Sequence, residues 1–143
     1  MNYHEVETIL TSILEKEEIE YGKPTAQEWE ETEKTVNCIF PEEFKFFIQL
    51  MSEWIFPGDI YNVCQNNNGN DLIRDIYISE LREPNWRNDM IPFYGIGNGD
   101  YFCIHSDKGV GREVYYFYHD SQLFELYSKT FEEWIKQLPE FLQ

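Results

Sequence analysis

Two spacings of apolar residues divide this chain. Through its first half they recur every three or four positions, as on one face of a helix; through much of the second half they recur at every other position, as on one face of a strand. Tyr3, Val6, Ile9, Leu10, Ile13 and Leu14 make the first stripe and predict an amphipathic helix running to about Glu20. Glu5, Glu7, Glu15, Glu17, Glu18 and Glu20 occupy its other face and tail, and Tyr21-Gly22-Lys23-Pro24 ends it. Thr25 and Glu28 have the spacing of a capping box, in which side chain and backbone exchange hydrogen bonds at a helix start. In this second helix Trp29 and Val36 mark the buried side, while Glu30, Glu31 and Glu33 mark the exposed side. A third opens at Pro41, whose fixed φ suits a first turn. Glu42 and Glu43 favour its positive end, and Phe44, Phe47, Ile48 and Met51 share a face.

The middle of the chain is less regular. Ile60 to Cys64 predicts a short strand, Gln65 to Asn70 an exposed polar loop, and Leu72, Ile73, Ile76 and Leu81 a short helix broken by Pro84. Period two then takes over. From Asp100 to Ser106, Phe102 and Ile104 fall on one side and Tyr101, Cys103 and His105 on the other; Val114, Tyr116 and Tyr118 repeat the pattern, and Leu123 to Tyr127 forms a third run. The breaks between runs are short. Ser106 to Gly111 contributes two glycines that tolerate positive φ, and His119-Asp120-Ser121 a polar turn, so the strands pair antiparallel. Thr130 and Glu133 then open a helix with Phe131, Trp134, Ile135 and Leu138 on one stripe, stopped at Pro139. The predicted fold is α+β: an antiparallel meander sheet packed with N-terminal helices and closed by a C-terminal helix.

The order of these features, IPF…GNGDYFCI, then GREVYYFYHD, then TFEEWIKQL, resembles the SUKH superfamily, also called the cell-wall-assembly regulator family. Phe40-Pro41-Glu42-Glu43-Phe44 is similar to that family's helix opening. The resemblance covers about residues 25 to 138. The family usually follows this helix with an asparagine-glycine turn, whereas this chain runs through Trp54-Ile55-Phe56-Pro57-Gly58-Asp59. Bacterial members are mostly immunity proteins that bind and block a polymorphic or contact-delivered toxin, often a nuclease. The resemblance therefore implies a cytoplasmic, stoichiometric inhibitor with a protein toxin as partner. A non-catalytic adaptor for cell-wall synthesis, as in the fungal branch, is the alternative it implies.

Size and charge sharpen this picture. The 143 residues make about one domain, residues 1–143, large enough to bury a core without disulfides or metals. Eleven basic residues against 27 acidic give a net charge of -16, which disfavours nucleic acid and anionic membrane as partners and favours a basic protein surface. The same charge could serve only to keep the protein soluble. Residues 1–43 are the more acidic part, with 12 acidic residues against 3 basic. Cys38, Cys64 and Cys103 are odd in number and set in or beside apolar runs, as reduced packing residues are. Met1 is not followed by a basic segment and an apolar one, and no run is long enough to span a membrane, so a cytoplasmic location is expected.

Candidate chemistry is sparse. Gly95, Gly97 and Gly99 precede a strand, whereas a phosphate-cradling loop needs a helix after it; a turn or bulge is the expectation. His4, His105 and His119 have no metal-site spacing, and neither Cys103 nor Ser106 stands in a nucleophile elbow beside a histidine. Neither catalysis, a metal nor a cofactor is expected. Tyrosines beside carboxylates do suit a protein interface. The candidate partner-binding residues are Glu30, Glu31 and Glu33 on the second helix, and Tyr94, Asp100, Tyr101 and Asp107 on the meander, with roughly half of the strand aromatics needed for the core instead.

Overall fold

The computed structural model describes residues 3–16, 23–51, 54–55, 58–64 and 71–141. In chain order it contains α1 (Tyr3–Thr11), β1 (Glu15–Lys16), α2 (Ala26–Val36), α3 (Glu42–Met51), β2 (Trp54–Ile55), β3 (Asp59–Ile60), α4 (Ile73–Glu80), β4 (Met90–Gly95), β5 (Tyr101–Asp107), β6 (Val110–Tyr118), β7 (Leu123–Ser128) and α5 (Phe131–Phe141). The five strands from β3 to β7 form one antiparallel sheet in sequence order, so the fold is α+β with a meander closed by a C-terminal helix, as the sequence predicts. β1 and β2 form a separate antiparallel ribbon.

Alternation in the strands divides the core between two faces of the sheet. Phe102 and Ile104 of β5, Val114 and Tyr116 of β6 and Ile91 and Phe93 of β4 pack with the helices, whereas Cys103 and Tyr101 of β5 and Phe117 and Tyr115 of β6 join Met90, Trp86 and Phe124 on the opposite side. A bulge between Pro92 and Tyr94 shifts the register of β4 against β5, which lets Phe93 and Tyr94 both reach the helix side. There Trp134 meets Phe47, Phe93 and Phe102 edge-on at centroid distances of 5.4, 5.1 and 5.4 Å. Phe44, Phe47, Ile48 and Met51 are all buried, as α3's periodicity requires.

The helix starts use local chemistry. Thr25 accepts the Glu28 amide at 3.1 Å and Glu28 accepts the Thr25 amide at 3.0 Å, completing the capping box. Thr130 likewise accepts the Glu133 amide, but the Glu133 carboxylate reaches the Lys129 amide at 3.2 Å instead of that of Thr130.

Several expectations are corrected. α1 ends at Thr11, before a turn and β1, instead of running to Glu20; Leu10 is buried while Ile9 and Ile13 are exposed. Glu17 to Gly22, and the loop Gln65 to Asn70, lie outside the described residues. The strand expected over Ile60 to Cys64 shortens to Asp59–Ile60, because Asn62 turns the chain by accepting the Val63 and Cys64 amides. Leu81 is exposed just past α4. Pro139 sits inside α5, where the last turn continues to Phe141 and only the bond that the Pro139 nitrogen would donate is forgone.

Gly109, in the β5–β6 turn, and Gly111, at the start of β6, do different jobs. Lys108 and Gly109 both have positive φ, 54° and 86°, and make the two-residue hairpin. Gly111 is buried, and a Cβ there would lie 2.9 Å from Ile104 Cγ2 and 3.2 Å from Cys38 Sγ. It lets the α2–α3 linker come close, where Ile39 donates to Gly109 at 2.8 Å and accepts from Gly111 at 2.8 Å.

Candidate functional site

The segment between α4 and β4 crosses the sheet face that the helices leave open. Tyr77 anchors it by donating to the Asn88 carbonyl at 2.6 Å, and Trp86 does so by donating from Nε1 to the Met90 carbonyl at 3.2 Å. The indole is thereby held against Phe117 at 4.9 Å, Phe124 at 5.0 Å and Tyr101 at 5.9 Å. Between this segment and the loops before β5 and before β7 lies a cleft of about 210 Å³, floored by Trp86, Tyr101 and Phe117 and walled by Glu80, Glu83 and His119. Tyr101 donates its hydroxyl proton to Glu80 Oε1 at 2.8 Å, and burial followed by this bond pushes the phenol well above its ordinary range. The side chains of Asn85 and Gln122 join across the mouth.

At the cleft's far end, Asp100 ties three elements together. It accepts from the Tyr116 hydroxyl at 2.7 Å, the His119 amide at 2.9 Å and His119 Nδ1 at 2.6 Å. Burial alone would raise its carboxyl, but these donors outweigh burial and hold it below the ordinary carboxylate range. The same bond to Asp100, aided by Asp120, holds the His119 imidazole above its ordinary value. Gly99 is required here: its φ is +96°, and a Cβ would lie 3.0 Å from the His119 ring.

Both described central imidazoles are engaged by carboxylates. His105 lies 2.9 Å from Asp89 and 3.1 Å from Glu113, and His119 lies 2.6 Å from Asp100 and 3.1 Å from Asp120. The nucleophiles considered beside them are occupied too. Ser106 donates to the Asn37 carbonyl at 2.9 Å, and burial holds the Cys103 thiol well above its ordinary range. No group that could hold a metal occurs among the described residues.

The predicted partner-binding residues separate into distinct settings. Tyr101 floors the cleft. Glu30 and Glu31 are exposed on α2, with Glu31 3.6 Å from Arg74 of α4. Asp107 is half-buried and pairs with Arg112 at 3.4 Å on a second, shallower groove lined also by Glu43, Glu113 and Lys129. Three positions are engaged in internal contacts as the chain is folded. Tyr94 is 2 % exposed, packed on Phe102 and Trp134, with burial pushing its phenol up to about 12. Asp100 is 8 % exposed and engaged as described. Glu33 accepts the Phe40 amide at 2.8 Å and lies 3.6 Å from Lys45, so it closes the α2–α3 corner instead of lining an open acidic face. Glu80, Glu83 and Trp86 were not singled out by the sequence. Their only signal was carboxylates and an indole flanking Pro84, which reads as an ordinary helix end.

The chain is thus a helix-backed antiparallel meander with carboxylates and aromatics on its open face. A family model described as SMI1-KNR4 cell-wall, of the SUKH group, matches residues 6–142, and the chain belongs to that family. A search of curated proteins gave no match. Among the described residues no helix is long and apolar enough to cross a membrane.

Proposed function

We propose that this protein is a cytoplasmic immunity protein that binds a bacterial toxin one-to-one and blocks it without chemistry of its own, the toxin being a basic nuclease domain. The observation that carries this reading is the family match over nearly the whole chain. The charge of -16 supports it, because a carboxylate-rich surface can occupy the groove that a nuclease keeps for phosphates.

Co-expression of the tagged chain with the product of the neighbouring gene tests it. The expected result is a stable one-to-one complex that abolishes the toxin's activity. His105→Gln, outside the cleft lining, should protect as well as the parent if it folds; complete loss of protection in a folded, toxin-binding variant would point to catalysis. The cell-wall term in the family description favours a second reading, a non-catalytic adaptor. Recovery of a cell-wall synthesis protein, with no effect on any toxin, would select it.

A further inference from the structure

We infer that the cleft beside Trp86 is a receptor for an arginine side chain of the protein partner. This rests on the partner reading above and gives it a specific contact. The chemistry of the walls selects the ligand. Glu80 and Glu83 are its acidic lining residues, and Trp86, Tyr101 and Phe117 supply aromatic surface in a space of about 210 Å³. A guanidinium is the group that uses both, since its plane stacks on aromatic rings while its edge donates in parallel to a carboxylate.

The cleft is arranged before any ligand arrives. The Trp86 indole is fixed by its bond to Met90 and by three aromatic neighbours, and the Tyr101 hydroxyl fixes the Glu80 carboxylate against the ring system. His119 also lines the space, but its ring faces Asp100 and Asp120, which offset its charge. The lining of the second groove is mixed instead, with Arg112 and Lys129 among Glu43, Asp107 and Glu113, and gives a cation no comparable preference.

The test uses the full ¹⁵N-labelled chain and N-acetyl-L-arginine amide as the probe. Arginine amide should shift the Trp86 indole N–H saturably and leave those of Trp29, Trp54 and Trp134 in place. The uncharged isostere N-acetyl-citrulline amide should not, and the lysine analogue should bind several-fold more weakly. Glu83→Gln and Glu80→Gln, which keep shape and an acceptor for Tyr101, should each weaken arginine binding at least about fivefold, whereas Glu30→Gln should not. The absence of a saturable shift, or equal binding of citrulline, overturns the inference. Tighter binding of free L-arginine than of the capped amide also overturns it, because the cleft would then serve a free amino acid. A partner that is still captured while arginine amide fails leaves the proposed function standing without this contact; arginine binding with no basic partner does the reverse.

Discussion

At the scale of single residues, Asp100 is the polar group with the most depending on it. Its carboxylate accepts from β6 and from the turn before β7, so Asp100→Ala leaves the Tyr116 hydroxyl and the His119 amide without their acceptor. The variant should be less stable by about 1 to 3 kcal/mol in a urea titration. The pair also sets a pH dependence. The folded Asp100 carboxyl lies below its unfolded value, so its contribution is present above about pH 4 and is lost as pH falls through the folded value. His119 lies above its unfolded value, so its contribution is present below about pH 6.5 and is lost as pH rises through the folded value. The melting temperature should therefore fall on both sides of a window between these limits, and His119→Gln should flatten the alkaline side and, by removing one of the Asp100 donors, weaken the acid side as well. An alkaline limb unchanged in that variant would assign it to other groups.

At the scale of elements, periodicity was a good guide wherever an element buries one face completely. Trp134 is 1 % exposed on the stripe with Phe131, Ile135 and Leu138, and Trp134→Ala should cost about 3 to 5 kcal/mol. An unaltered melting temperature would contradict its place in the core. Strands β5 to β7, α2, α3 and the start of α5 were legible because local capping, alternation and burial agree there, whereas β4, buried along its whole length, shows no alternation. The extent of α1 was not, since an apolar stripe does not reveal that β1 will pair with the distant β2 across residues 15 and 55. Pro139 misled for a related reason: in a last turn it removes one bond, and the packing of α5 tolerates that loss. The role of Gly111 was equally hidden, because a glycine required for close approach looks in sequence like one required for a turn. Gly111→Ala should destabilise by about 1 to 3 kcal/mol, through overlap with Ile104 and Cys38.

At the scale of the whole molecule, charge should act mainly on how fast a basic partner is found. Raising salt from low to several hundred millimolar shortens the screening length from about 30 Å to below about 8 Å, and association should slow at least about tenfold while dissociation changes much less. An association rate indifferent to salt, or an acidic partner, would remove electrostatic steering. Glu30→Lys with Glu31→Lys, and Asp107→Lys, are fit to locate the responsible surface. Asp100 and Glu33 are not, because reversing either charge disrupts internal bonds first. Exposed carboxylates announce themselves in the sequence, but a cleft that brings Glu80, Glu83 and Trp86 to Tyr101 and His119 exists only after the sheet has formed.

The shielded thiols give the fold a clock for its own opening. Cys38, Cys64 and Cys103 are all buried, and burial pushes the Cys38 thiol up to about 11 and holds that of Cys103 well above its ordinary range, so an alkylating reagent waits for each to be uncovered. Cys103 sits in the middle strand of the sheet on the face that the Trp86 segment covers, and its modification counts openings of that segment or of the sheet; Cys38, in the α2–α3 linker, counts openings of that corner. The spread between the two labelling rates compares how readily the two sides of the sheet are uncovered.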